Sequence, residues 1–183
     1  MERNTDNCAL PLGSKAPYFS LPGTDGRIYT ISNFKDSKVL VVVFTCNHCP
    51  YAQAYEPRLC QIAETYSQQG VSFVAINAND AAGYPEEDMD HMKQRARKLG
   101  NPYPYLQDES QVAAKAYDAA CTPECFVFDS NQILVYHGAV DDNHIDQNNV
   151  SNHFLRDAID AALSGKVPET QLSSVIGCTI KWK

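Results

Sequence analysis

Cys46-Asn47-His48-Cys49-Pro50 places two thiols three positions apart, with a histidine between them and a proline after. Two intervening residues let the second sulfur reach the first across one turn, so a mixed disulfide made by Cys46 can be resolved by Cys49. The apolar run Val39 to Phe44 ends just before this pair, and after Pro50 apolar residues recur at helical spacing at Tyr55, Leu59, Ile62, Ala63 and Tyr66. The pair therefore sits where a strand gives way to a helix. Unpaired N–H groups and the positive end of the helix dipole favour thiolate over thiol there, which predicts a lowered pKa. Cys46 is assigned the attack, because the first thiol should lie nearer solvent and the dipole end. His48, when cationic, stabilises its thiolate further.

The same sulfurs admit a second chemistry. Cys121-Thr122-Pro123-Glu124-Cys125 offers two more thiols, so Cys46, Cys49, Cys121 and Cys125 are a candidate four-sulfur metal set and the basis of a non-enzymatic metal or redox-sensing module. Zinc knuckles usually sit in loops, whereas this strand feeds directly into a helix. The redox reading is preferred and needs no metal or cofactor. Cys121, Cys125 and Cys178 are candidate accessory thiols, each weighed against the role of a small buried hydrophobe. Cys60 is expected in the core, and Cys8 in an N-terminal tail.

Alternating patterns supply the scaffold for this chemistry. Tyr18 to Leu21 and Arg27 to Tyr29 flank Asp25-Gly26 and read as a hairpin. Val39 to Phe44 and Val71 to Ile76 read as strands covered on both faces. Helices are expected from Pro50 to Tyr66 with a kink at Pro57, from Pro85 to Leu99, from Gln111 to Tyr117 and from His153 to Leu163. Phe126 to Phe128 and Ile133 to Tyr136 form a last hairpin. The order predicts an α/β domain whose central mixed sheet carries helices on both faces, preceded by an N-terminal β-hairpin extension.

Composition narrows the partners. In 183 residues, 15 Lys and Arg stand against 22 Asp and Glu, giving a net charge of −7 with the basic residues scattered, which argues against nucleic acid. Val39 to Phe44 is far short of the roughly 20 apolar residues of a membrane span. No secretory apolar stretch opens the chain, so a cytoplasmic, reducing setting is expected, where a close cysteine pair is catalytic or metal-binding rather than structural.

The buried strand, Cys46-x-x-Cys49 and Thr122-Pro123 before a strand together resemble the thioredoxin superfamily. The opening Gly13 to Leu21 followed by Asp25-Gly26 is similar to its redoxin branch. Phe44 to Tyr51, Ala75 to Asp80, Cys121-Thr122-Pro123 and Gly177 to Lys183 look like the peroxiredoxin-like proteins of that branch. The resemblance runs from about Leu12 to Lys183. It implies a thioredoxin-like fold over residues 12–165, a flexible tail over 1–11 and a C-terminal extension over 166–183 packed on the domain. Cys46 becomes the nucleophile, Cys49 the resolving thiol, and Thr122 and cis-Pro123 the substrate-binding pair. The implied activity is thiol-disulfide exchange or thiol peroxidase chemistry, with a disulfide or peroxide substrate and a thioredoxin- or glutathione-type reductant.

Two departures qualify the family pattern. Peroxiredoxins carry Thr or Ser three residues before the peroxidatic cysteine and Pro four further back. Counting from Cys46 gives Val43 and Val39, and counting from Cys49 gives Cys46 and Val42, so neither register supplies the peroxide-activating set. The buried acid of thioredoxin's corresponding strand is also missing from Val41-Val42-Val43, which assigns proton transfer to His48 or Glu124. His48 precedes the second cysteine as in protein disulfide isomerase, predicting a potential above thioredoxin's roughly −270 mV.

Overall fold

The computed structural model describes Glu2, Arg3 and residues 10–183. Glu2–Arg3 (β1) pairs antiparallel with Val175–Ile176, while Cys8 and most of the expected tail lie outside the described residues. Ser20–Pro22 (β2) and Ile28–Thr30 (β3) form the expected hairpin, with Gly26 supplying a left-handed φ of 84° in its turn. Val39–Phe44 (β4), Pro50–Tyr66 (α1), Val71–Asn77 (β5), Met89–Leu99 (α2) and Tyr105–Gln107 (β6) follow. Their two helical crossovers lay β4, β5 and β6 side by side in parallel. Val112–Tyr117 (α3), Cys121–Thr122 (β7), Glu124–Phe128 (β8), Leu134–Gly138 (β9), Phe154–Leu163 (α4), Val175–Ile176 (β10) and Cys178–Thr179 (β11) complete the chain. The central sheet runs β6-β5-β4-β8-β9, with β8 and β9 antiparallel. It is the mixed sheet that the alternating pattern predicts.

β4 shows why its sequence carries no alternation. Leu40, Val42 and Phe44 point into a core shared with Phe19, Leu21, Phe34 and Tyr117, on the side of the hairpin and α3. Val39, Val41 and Val43 point into a second core with Tyr55, Leu59 and Ile62 of α1 and Leu155 and Ile159 of α4. Both faces are dry, so every position must be apolar. At about 1.5–3 kcal/mol for each fully buried large side chain, this strand is firmly anchored in the sheet. It carries the cysteine pair at its C-terminal end.

The structure revises several expected elements. A single helix from Pro85 to Leu99 does not form: Pro85–Glu87 is a short 3-10 turn, and the chain leaves helical geometry at Asp88 (φ −68°, ψ 166°). Asp88 then caps α2 by accepting the His91 N–H at 2.8 Å. The break lets Glu87 turn inward instead of joining a solvated first turn. β6, β7, β10 and β11 are two or three residues long, too short to show a period in the sequence. Cys60 is only half-buried, against Asn101 and Tyr103.

Just past Pro123, a buried polar pair ties two strands to the preceding loop. The Glu124 carboxylate accepts the Ala120 and Cys121 N–H groups at 2.7 and 2.9 Å and meets His137 Nε2 at 2.7 Å, with both side chains wholly buried. Removing the carboxylate takes a buried acceptor from two backbone N–H groups and from the His137 ring, a cost of about 3 kcal/mol. Glu124→Ala is therefore expected to lower the free energy of urea unfolding by about that amount, while exposed Glu109→Ala stays within about 0.5 kcal/mol. Equal effects of the two variants would show that the Glu124 contacts add nothing to stability.

Candidate active site

Cys46 leaves the end of β4 and Cys49 caps α1, with Pro50 as the first helical residue. Cys49 Sγ receives the Ala52 N–H at 3.5 Å, so the orphan donors of the helix start meet Cys49 rather than Cys46. Across from the pair, β7 presents Thr122. Its hydroxyl lies 3.3 Å from Cys46 Sγ, and its carbonyl accepts from Cys49 Sγ at 3.2 Å. The Thr122–Pro123 bond is cis. One residue thus touches both sulfurs, offering each a different partner.

The turn between the cysteines is held by an acid 40 residues away. Glu87 is fully buried; its Oε2 accepts Asn47 N–H at 2.8 Å and Asn77 Nδ2 at 2.7 Å, and its Oε1 accepts His48 N–H at 3.1 Å and pairs with the His48 ring. Tyr84 stacks on that ring at 5.6 Å, nearly parallel. The sequence, lacking a buried acid in β4, assigns proton transfer to His48 or Glu124. Glu124 instead holds the loop before Pro123, and the acid beside the dithiol is Glu87. Its only sequence signal was the run Pro85-Glu86-Glu87-Asp88, where Asp88, a residue type suited to an N-cap, follows the acids.

The two thiols behave as one titrating unit. Cys49 is pulled down, first by accepting a hydrogen bond from Cys46 and further by Cys178, Ala52 N–H and Thr122, against the effect of burial. Cys46 is pushed up, first by sharing its proton with Cys49, then by burial, and then by the Glu87 carboxylate. The pair gives up one proton readily and the second with difficulty. The expected lowering at Cys46 falls on Cys49, which takes the hydrogen bond from Cys46 and, as a smaller contribution, the Ala52 N–H of the helix start. Exposures of 1% for Cys46 and 0% for Cys49 do not separate them by solvent access either.

The remaining sequence candidates divide. Cys178 packs against the cluster of Cys46, Cys49 and Ala52. Cys125 faces Val43 across the sheet and lies in the α1–α4 core, where burial raises its pKa. Cys121 is buried in β7, opposite Thr179. The four-sulfur metal set is not gathered. Among the described residues the one group of three or more metal-capable side chains is Cys46, His48 and Glu87, with ligand atoms within 4.8 Å of one another. Glu87 spends both oxygens on the turn, so this group is built to hold backbone rather than an ion.

Known proteins resemble this chain to different extents. A solved structure of an uncharacterised conserved protein from Geobacillus kaustophilus superimposes with a TM-score of 0.90, is 44% identical, and covers 95% of this chain and 93% of its own. The thiol-disulfide oxidoreductase ResA of Geobacillus thermodenitrificans is 25% identical over 127 residues, 69% of this chain and 68% of that protein. Peroxiredoxin Q of Oryza sativa subsp. japonica is 25% identical over 131 residues, covering 68% of this chain and 57% of its own length. The Redoxin family model matches residues 11–153, which contain the dithiol, Glu87, Thr122 and Pro123. This chain belongs to the redoxin family.

Proposed function

We propose that the protein is a thiol-disulfide oxidoreductase in which Cys46 attacks the disulfide of a protein or small molecule and Cys49 resolves the product. The observation that carries this reading is a pair of buried sulfurs at the start of α1, with Thr122 in contact with both. The Cys46 thiolate displaces one substrate thiolate and forms a mixed disulfide. Cys49 then attacks Cys46 Sγ, releases the second substrate thiolate and leaves a Cys46–Cys49 disulfide. The substrate gains two electrons and the two protons of the dithiol. A thioredoxin- or glutathione-type reductant in a cytoplasmic setting returns the pair to the dithiol. ResA, by its name a thiol-disulfide oxidoreductase, supports this over peroxide chemistry, for which the chain lacks the activating Thr and Pro.

Attack by Cys46 requires the shared proton to reside on Cys49. Thr122 is suited to that placement: its carbonyl accepts the Cys49 S–H while its hydroxyl donates to the Cys46 thiolate. Glu87 opposes it, since its negative charge raises Cys46. A cationic His48, paired with Glu87, cancels that charge and favours attack.

Turnover of a disulfide substrate with a thioredoxin-type reductant, with hydrogen peroxide as a parallel substrate, tests the assignment. Cys46→Ser is expected to lose at least 100-fold on the order of a removed nucleophile, and Cys49→Ser to accumulate a stable mixed disulfide on Cys46. Retained turnover in Cys46→Ser, or peroxide consumed far faster than disulfide, contradicts the reading.

A charge test follows for Glu87. Removing a negative neighbour lowers the Cys46 pKa, so in a Cys49→Ser background Glu87→Gln should shift the pH profile of iodoacetamide alkylation down by about one unit. Below both pKa values, Cys46 then reacts up to about tenfold faster. A profile that stays put or moves upward removes Glu87 from the thiol's electrostatics.

A further inference from the structure

A third thiol is seated against the dithiol by the end of the chain. β11 pairs with β7 so that Cys178 lies opposite Thr122 and Thr179 opposite Cys121. Thr122 is the residue that both active sulfurs touch, and Cys178 packs against the cluster of Cys46, Cys49 and Ala52, drawing the Cys49 pKa down. The approach is close and fixed. A Cβ on Gly177 would stand 2.4 Å from the Thr122 carbonyl oxygen, so only glycine lets the two backbones meet there. Beyond it, Ile180 N–H donates to Ala120 O at 2.8 Å, Lys181 N–H to Asn79 Oδ1 at 2.8 Å, and Gln111 Nε2 to Lys181 O at 2.9 Å. Unlike Cys46 and Cys49, Cys178 is partly exposed.

We infer that Cys178 is a second resolving thiol, which converts the buried Cys46–Cys49 disulfide into a Cys49–Cys178 disulfide and frees Cys46. This rests on the dithiol reading above and adds to it. The Cys178 thiolate attacks Cys49 Sγ, the Cys46–Cys49 bond breaks, and Cys46 departs as a thiolate that takes up the proton lost by Cys178. One disulfide is consumed and one formed, so no outside oxidant enters. Burial raises Cys178 to about 11, and Lys181 pulls against that rise. The exchange carries the oxidised state from two buried sulfurs to one that a reductant can reach.

Peptide mapping resolves the pairing, because Cys46 and Cys49 share the tryptic peptide 39–58 whereas Cys178 lies in 167–181. Full-length protein is oxidised with one equivalent of diamide, alkylated and digested without reduction. Wild type should give both the intrapeptide bridge and the 39–58/167–181 bridge. Cys46→Ser should retain the interpeptide bridge, and Cys49→Ser should lose it. Cys178→Ser and Cys178→Ala, checked for wild-type thermal unfolding, should keep the Cys46–Cys49 bridge but lose about five- to tenfold in recycling by the reductant. An interpeptide bridge missing from oxidised Cys46→Ser, or unimpaired recycling in both Cys178 variants, overturns the inference and leaves the dithiol reading standing. Loss of the Cys46–Cys49 bridge from Cys178→Ser strikes the dithiol reading itself.

Discussion

The buried carboxylate of Glu87 is the interaction on which the site depends. A carboxylate taken out of water is costly unless its oxygens are occupied, and these are occupied by two N–H groups of the Cys46–Cys49 turn, the Asn77 amide and the His48 ring. Hydrogen bonds to a charged group contribute about 1.5–3 kcal/mol each, so the turn is held more firmly than a loop between strand and helix ordinarily is. Asn47 extends the fastening. Its carbonyl accepts from Gln53, its side-chain oxygen from Tyr105, and its amide donates to Glu86 O. Further along, Arg95 clamps Glu56 through two contacts of 2.5 Å, tying α2 to α1 and keeping the 3-10 turn that carries Glu87 in register.

Thr122 is the complementary constraint from the other side of the sulfurs. Glu124 and His137 fix the loop and strands around it, and the C-terminal strand lies along it. The pair is thus set between an acid that fixes its backbone and a threonine that meets its sulfurs. Charge distribution follows from this asymmetry. The negative group stands beside Cys46 and the helix donors beside Cys49, so electrostatics place the resting anion on Cys49, and in the proposed exchange attack by Cys46 waits on proton transfer between the two.

Much of this framework was legible along the chain. Val39 to Phe44 could only be a doubly covered strand, and Cys46-x-x-Cys49-Pro50 had to open the helix that follows. Thr122 and Pro123 came from resemblance rather than periodicity, since a two-residue strand has no period to read. Glu87 was hidden for a different reason. Acids before a helical pattern ordinarily sit in its solvated first turn, and nothing local distinguishes the one that points inward once Asp88 takes over the cap. The helix dipole was weighed correctly for the turn but assigned to the wrong sulfur: with Pro50 as the first helical residue, the cap position falls on Cys49, three residues past Cys46.

Because Cys49 caps α1, the proposed dithiol cycle couples secondary structure to oxidation state. As a thiolate, Cys49 is a charged acceptor for Ala52 N–H; as half of a disulfide it is a neutral and much weaker one. By thermodynamic linkage, whatever the helix gains from the charged cap must reappear as an equal preference of the folded chain for its reduced form. The first turn of α1 is then a gauge of electron occupancy, tighter when the two sulfurs are apart and looser when they are joined.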